Sequence, residues 1–257
     1  DFPSVRKKYP NKIIIAFCVW ETDKLPDKWK FNLDNYADVV IFPSSYNYLN
    51  YKLKSKCYFI ESFINYDKNI MNKNNSVLNT NINLINFSKY KIKFYFIGQW
   101  NFRKDIIRLI NLYKEIFVDN TEVCLFIKTF HGCPSDYNLN DFESNNPKII
   151  IDTTLYTKNE INILHQIGDC FINCSHNEGT GLSVINSSVT SDLISMNIGG
   201  HTDYIYNYIK LKNNKLNNID ISCIPYDTKY LHDYYLDYST DLKWYYYDEN
   251  ELKYILY

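Results

Sequence analysis

The stretch DCFINCSHNEGTGLSVINSSVTSDLISMNIGGHTD occupies residues 169–203 and decides how the whole chain is read. Cys170, Phe171 and Ile172 are a short apolar run of the kind that fills a buried strand. A polar turn then leads into Glu178-Gly179-Thr180-Gly181, and Leu182, Val184 and Ile185 follow as the start of a helix. A second apolar piece, Leu193-Ile194, runs into Gly199-Gly200-His201-Thr202-Asp203. Strand, glycine turn, helix, strand, glycine turn is how an α/β domain presents backbone N–H groups to an anionic ligand. The carboxylate of Glu178 beside that turn points to chemistry as well as binding.

Working back from this stretch, an α/β series begins at Lys91–Ile97 (KIKFYFI), a strand ending in Gly98-Gln99-Trp100-Asn101-Phe102-Arg103-Lys104-Asp105. Ile106, Ile107, Leu109, Ile110, Tyr113 and Ile116 share one face at helical spacing. Further strands are expected at Glu122–Lys128 and Lys148–Ile151, with a long polar loop at His131–Pro147 between them and a helix over Lys158–Ile167. A short strand at Ile221–Pro225 and a terminal helix over Asp248–Tyr257 complete a parallel sheet of about five or six strands.

An earlier and smaller β-α-β-α-β series precedes it. Lys12–Val19 (KIIIAFCV), Asp38–Phe42 and Cys57–Ile60 read as parallel strands. Helices are expected from an N-cap at Asp27 to Tyr36, and from Ser44 to about Leu53. Residues 62–90 are rich in Asn, Lys and Ser and read as a linker with a strand near Ile82–Phe87. The expected division is 1–88, a partial first α/β domain with linker; 89–240, a second and larger α/β domain; and 241–257, a closing helical segment.

Composition narrows the class. The 257 residues suffice for a sizeable core, and 46% hydrophobic with 22% charged residues is ordinary for a globular protein. Tyr 25 and Phe 15, with abundant Asn, Lys and Ile, read as coding bias of an AT-rich genome, such as a large DNA virus or a protist carries. A net charge of -1 leaves no electrostatic footprint for nucleic acid. No apolar run approaches the roughly 20 residues that cross a bilayer, and no signal peptide is visible. A cytoplasmic location follows as the expectation, with peripheral membrane contact left open. The first residue is Asp, so the chain reads as cut from something longer. The seven cysteines are scattered and read as buried free thiols of a reducing compartment. Cys170, Cys174 and His176 lack a second ligand pair with finger-like spacing, so a zinc site is not expected.

Several residues carry candidate chemistry. Arg103 and Lys104, between a strand and a helix, suit a diphosphate, although a solvated basic pair reads the same way. Glu178 is either a reacting carboxylate or a cap for the following helix. Gly98 and the Gly199-Gly200 pair allow close backbone approach. His176 is a further cleft candidate. Glu21 and Asp23, two residues apart after the first strand, are acid/base or sugar-hydroxyl candidates, or one of them orients a loop. No G-x-G-x-x-G follows the strand at Lys12 or that at Lys91, which argues against a dinucleotide oxidoreductase.

These residues resemble a family. EGTGLSVIN (Glu178–Asn186), preceded by CFINCSH and followed by NIGGHTDYI, resembles the donor-site signature of family 4 retaining glycosyltransferases. WETDKLPDKW and DVVIFPSSYN resemble the later part of the acceptor domain in those enzymes. FIGQWNFRKD and CLFIKT resemble the first strands of their donor domain, and WYYYDENELKYIL their closing segment. The resemblance runs in order along nearly all of the chain. It implies an α/β fold of GT-B type, two facing Rossmann-like domains with a cleft between them, the first incomplete.

The resemblance also implies roles. Glu178 matches the first glutamate, which faces the donor sugar near the reacting carbon, and Lys104 matches the phosphate-binding lysine. Arg103 takes the place of an arginine usually found where this chain has Gln99. The amides of Gly179, Thr180, Gly181 and Leu182 match the turn that holds the diphosphate. Asn186 stands where a second glutamate usually binds the nucleotide ribose. The implied partner is a UDP- or GDP-linked sugar, used as co-substrate with no metal or other cofactor, and the acceptor is a glycan, protein or lipid. Two departures remain: Thr190-Ser191-Asp192 replaces a G-x-P piece, and the front strands, glycine-rich loop and histidine of the acceptor domain have no counterpart. A degenerate, non-catalytic sugar-nucleotide or glycan-binding module is therefore the alternative. A sugar phosphorylase of the same fold would need a cofactor lysine motif that is not seen.

Overall fold

The computed structural model describes residues 2–61, 81–129, 138–205, 209–211, 215–218 and 242–256. The expected strand at Ile221–Pro225 lies outside the described residues, as do Cys133, Cys223, much of the linker and the start of the His131–Pro147 loop.

The chain opens with α1 (Phe2–Lys8), β1 (Ile15–Phe17), α2 (Asp27–Tyr36), β2 (Val39–Phe42), α3 (Ser45–Asn50) and β3 (Lys56–Phe59). These strands form a three-stranded parallel sheet, β1-β2-β3, with Ala16 opposite Val40 and Val40 opposite Cys57. Two expectations shift here. β1 is shorter than Lys12–Val19, and Asp27 is the first helical residue, because Pro26 occupies the N-cap without a side-chain bond. Ser44 does cap α3, accepting from the Asn47 N–H.

The larger sheet collects α4 (Ile82–Phe87), β4 (Ile92–Ile97), α5 (Ile106–Ile116), β5 (Val123–Lys128), β6 (Ser144–Asn145) and β7 (Lys148–Asp152). It continues through α6 (Lys158–Ile167), β8 (Cys170–Asn173), α7 (Leu182–Ser187), β9 (Asp192–Met196) and β10 (Ile209–Leu211). The strand order is β10-β9-β8-β4-β5-β7-β6, parallel throughout except for β6 at one edge. Ile82–Phe87 is a helix rather than the expected strand: Leu84 and Phe87, one helical turn apart, are both buried, and the Asn81 side chain caps the first turn.

Period-2 alternation divides the sheet's side chains between two cores. Phe94, Phe96, Leu125, Ile127, Ile172 and Met196 face α5, while Tyr95, Phe126, Phe171 and Leu193 face α4, α6 and α7. All six residues of β5 are buried, as a central parallel strand covered on both faces requires. A Thr157–Glu160 capping box sets the start of α6 and contributes about 1 kcal/mol.

The chain closes with β11 (Lys215–Asn218), antiparallel β12 (Lys243–Tyr246) and α8 (Glu249–Leu256). Leu242 and Trp244 complete the core of the three-stranded sheet, whereas Leu252 and Leu256 join the α5 core of the larger one. One short segment thus ties the two layers together, and both sheets keep their carboxyl-end loops close to it.

Candidate functional site

The loops after β4 and β8 meet because those strands are neighbours, with Phe94 opposite Cys170 and Tyr95 opposite Phe171. In an open α/β sheet the crevice at the carboxyl ends of the strands is where ligands bind. The loop after β4 becomes a single 3-10 turn, Phe102–Lys104, capped by the Asn101 side chain, which accepts from the Lys104 N–H at 3.1 Å. Asp105 then adopts a left-handed conformation, φ 52°, before α5 begins. That turn aims Arg103 and Lys104 at the loop after β8.

There the sequence-predicted residues come together. Lys104 Nζ donates to Glu178 Oε1 in a very short contact, and Arg103 Nη1 lies 3.1 Å from Glu178 Oε2. Arg103 Nη1 also donates to the Asn177 carbonyl at 2.7 Å, and Nη2 lies 3.7 Å from Glu21 Oε1, across from the first sheet. Glu178 and Lys104 are both buried, so water screens these charges little. Burial raises the Glu178 carboxyl, but the Lys104 ammonium and the Arg103 guanidinium outweigh it and hold the group well below the usual carboxylate range. Burial lowers the Lys104 ammonium; Glu178 counters that and Arg103 adds to it. The carboxylate faces two cations while each cation faces the other, which is why the negative charge is the better stabilised.

Glycines let the surrounding turns close in. A Cβ on Gly98 would lie 2.8 Å from the Phe96 ring and 3.5 Å from Lys104 Cε, so Gly98 borders the cluster directly. A Cβ on Gly200 would fall 1.9 Å from the Gly179 carbonyl oxygen, and the Gly200 N–H donates to the Glu178 carbonyl at 2.7 Å. The turn 199–203 is therefore wedged against the turn 178–181. Gly181, at φ 75°, is the N-cap of α7 with no side-chain bond, so Glu178 does not serve as that helix's cap. Thr180 is half-buried and Leu182 exposed at the mouth of this turn, and Asn186 is half-buried one turn into α7.

His176 supports the site from behind. Its backbone N–H donates to the Arg103 carbonyl at 2.8 Å, and its ring Nδ1 lies 3.1 Å from the Tyr245 carbonyl oxygen. The ring packs among Phe102, Trp244 and Tyr246. Burial pushes its pKa down to about 3, so it is neutral at physiological pH and acts as a brace. Asp23 is used otherwise: its carboxylate accepts from the Lys243 N–H at 2.7 Å and orients the loop against the closing strand.

Contacts absent from the sequence reading also appear. Asp203, in the second glycine turn, accepts from both the N–H (2.5 Å) and the hydroxyl of Ser45 at the start of α3. Tyr204 donates to the Pro43 carbonyl at 2.6 Å. His201 Nε2 lies 3.0 Å from Ser195 Oγ, which also accepts from Asn173 Nδ2 at 2.9 Å, a buried polar chain beneath the turn. Such pairings join residues remote in sequence, and a final acid in GGHTD was the only available hint. Among the described residues no group of three or more His, Cys, Asp or Glu is arranged to hold a metal ion, and Cys170, Cys174 and His176 do not form one.

No protein-family model matches the chain, and no curated protein matches it by sequence. Solved structures do match. An α,α-trehalose 6-phosphate synthase from Burkholderia multivorans has a TM-score of 0.64 at 9% identity, over 82% of this chain and 57% of that one. A UDP-forming α,α-trehalose-phosphate synthase from Burkholderia xenovorans gives 0.63 at 10% identity, over 92% and 62%. A glycosyltransferase from Rickettsia africae gives 0.52 at 16% identity, over 79% and 62%. The chain thus spans about three fifths of the length of these proteins. Identities this low establish the fold alone: α/β, of the GT-B type, with part of that arrangement represented.

Proposed function

We propose that the chain is the core of a retaining glycosyltransferase of the family 4 kind, moving a sugar from a nucleotide-sugar donor to a glycan, protein or lipid acceptor. The observation that carries this reading is the buried Glu178 carboxylate, held between Lys104 and Arg103 at the carboxyl edge of β4 and β8, beside two glycine turns. Glu178 would face the donor sugar, and Lys104 and Arg103 would take the diphosphate, assisted by the amides of Gly179 to Leu182. Asn186 would hold the ribose hydroxyls through its amide.

The bond between the anomeric carbon and the diphosphate oxygen breaks with its electron pair leaving on phosphate, and the acceptor oxygen forms the new bond on the same face. Its proton leaves with the nucleotide diphosphate. Positive charge develops at the anomeric carbon and negative charge on the leaving group, and fixed charges of opposite sign stabilise both. Two cationic side chains supply what a metal ion would otherwise provide, and we expect turnover without one. The described cysteines are all free thiols, which fits a reducing, cytoplasmic setting. Among the described residues no helix is long and apolar enough to cross a membrane.

The test is thermal stability against UDP-, GDP- and ADP-sugars, each with and without magnesium. A ligand that binds only the folded chain raises Tm by mass action. The reading expects a metal-independent rise with one nucleotide class, and donor hydrolysis that Glu178→Gln abolishes. Asn186 in place of an acid, with Gln99 in place of a base, favours the second reading, a binding module without turnover. A rise in Tm with neither donor hydrolysis nor sugar transfer to an acceptor would select it.

A further inference from the structure

Every cationic group of the cluster is already engaged by an acid. Lys104 Nζ and Arg103 Nη1 both meet Glu178, and Arg103 Nη2 approaches Glu21. Two positive and two negative side chains face one another here, so an incoming anion competes with acids already in place. A phosphate oxygen seeking the same N–H donors must replace one of these acids. Glu21 approaches Arg103 at the longer distance of 3.7 Å, and makes no ion pair with Lys104 within 4 Å. Glu178 bonds both cations and is the group in the way.

The local geometry lets Glu178 yield without moving its backbone. Its N–H donates to the Asn177 side-chain oxygen at 2.7 Å, and its carbonyl accepts from Gly200 at 2.7 Å, so the main chain is fixed on both sides. Only the side-chain torsions need turn. The cations, in contrast, are held: the Lys104 N–H is capped by Asn101, and Arg103 is pinned by the Asn177 carbonyl and by His176.

We propose that Glu178 and the oligophosphate of a nucleotide ligand exchange at one cationic seat, so that the carboxylate is released toward the sugar only as the phosphate arrives. This rests on the transferase reading and deepens it: the residue that meets the sugar is also the internal anion that guards the phosphate site. Arrival of phosphate on Lys104 and Arg103 frees a carboxylate whose charge is no longer cancelled by them. That places negative charge beside the anomeric carbon only when a leaving group is bound. Donor affinity is reduced by the competition, and removing Glu178 should therefore improve phosphate binding while destroying turnover.

The experiment is calorimetric titration of inorganic pyrophosphate, UDP and GDP into the wild-type chain and into Glu178→Gln, Glu178→Asp and Glu21→Gln. Glu178→Gln should bind pyrophosphate at least about tenfold more tightly than wild type, a gain of about 1.4 kcal/mol. Glu178→Asp keeps the charge but draws it back by one methylene, so it should also bind more tightly. Should the Gln variant fail to fold, the Asp variant carries the same test. Glu21→Gln removes equal charge without freeing Lys104 and should change affinity less than threefold. Equal gains from Glu21→Gln and Glu178→Gln would mean that net charge alone is at work and would overturn the exchange. So would Gln and Asp variants that bind no better than wild type, and if the wild type still takes up UDP or GDP the transferase reading survives. Binding of none of the probes by any variant would sink both.

Discussion

Replacing Lys104 by Met keeps the length and apolar stem of the side chain and deletes only the ammonium. The Lys104 and Glu178 side chains are 10% and 7% exposed, so the lost interaction is one that water hardly screens. Removing one member of a buried ion pair typically costs about 3–5 kcal/mol, because the partner is left charged and dry. Arg103 remains 3.1 Å from the same carboxylate and still compensates it, which moves the expectation below that range, to about 2–3 kcal/mol. Glu178→Gln should cost at least as much, since it strands two cations. The double variant removes one charge of each sign and leaves Arg103 with Glu21 and the Asn177 carbonyl, so its loss should be well below the sum. We expect a coupling energy of about 2 kcal/mol from urea unfolding of the four proteins, within the range of contacting pairs. For a chain of this size, each kcal/mol corresponds to about 2–4 °C in Tm, so Lys104→Met should melt roughly 4–12 °C lower. Single-variant losses that add to within about 0.5 kcal/mol would refute the buried pair.

Other consequences are equally direct. Gly200→Ala drives a Cβ into the Gly179 backbone at 1.9 Å, and should cost about 3 kcal/mol in urea unfolding. Gly98→Ala, which meets a side-chain ring at 2.8 Å, should cost less; the reverse order would contradict the wedged turns. His176 is buried neutral, with its pKa pushed down to about 3 against about 6.5 unfolded. Its contribution is therefore complete above pH 6.5 and lost as pH falls toward 3, at about 1.4 kcal/mol per unit. Between pH 7 and 5 a His176→Phe variant should lose about 2 kcal/mol less than wild type, and parallel pH profiles would show that the ring is not desolvated. Trp244→Ala should cost about 3–5 kcal/mol. Because Phe102 and His176 stack on that indole, it should also weaken pyrophosphate binding, whereas Phe87→Ala, deep in the core formed by α4, α6 and α7, should not.

The α/β order was legible because buried parallel strands leave continuous apolar runs. VCLFIK at Val123–Lys128 is buried at every position, and α5 shows its apolar face at helical spacing. Short segments were less legible. INLINF fits either an alternating or a helical reading over six residues, and what decides it is the cleft between β-strand residues Phe126 and Ile150 and helix α6, into which Leu84 and Phe87 pack. Likewise Ile13 and Ile15 belong to an apolar run but stand 76% and 60% exposed, and β1 is correspondingly shorter than its hydrophobicity suggests. No local pattern could have indicated that Leu242 and Trp244 fill the core of a sheet built from residues before 60.

The site was legible in parts and not in its assembly. Glu178 was marked by its place after a strand and beside glycine, and Lys104 by its place between a strand and a helix, yet they are 74 residues apart, and their meeting follows from one topological fact. Because β4 pairs directly with β8, and β8 with β9, the three loops that leave the carboxyl ends of those strands share one edge. The first brings the cations, the second the acid, and the third the glycines that let the second lie close. A sheet with β4 and β8 separated by another strand would put about 5 Å more between each pair of loops, beyond the reach of a lysine–carboxylate bond in this arrangement. Strand order is thus the quantity that turns two ordinary loop motifs into a charge cluster, and it is set by which apolar strands bury each other rather than by anything in the loops. The chemistry depends on the core in this sense: variants that weaken the β4–β8 contact, such as Phe171→Ala, should loosen Lys104 from Glu178 before they unfold the chain, and so should raise pyrophosphate affinity while lowering Tm.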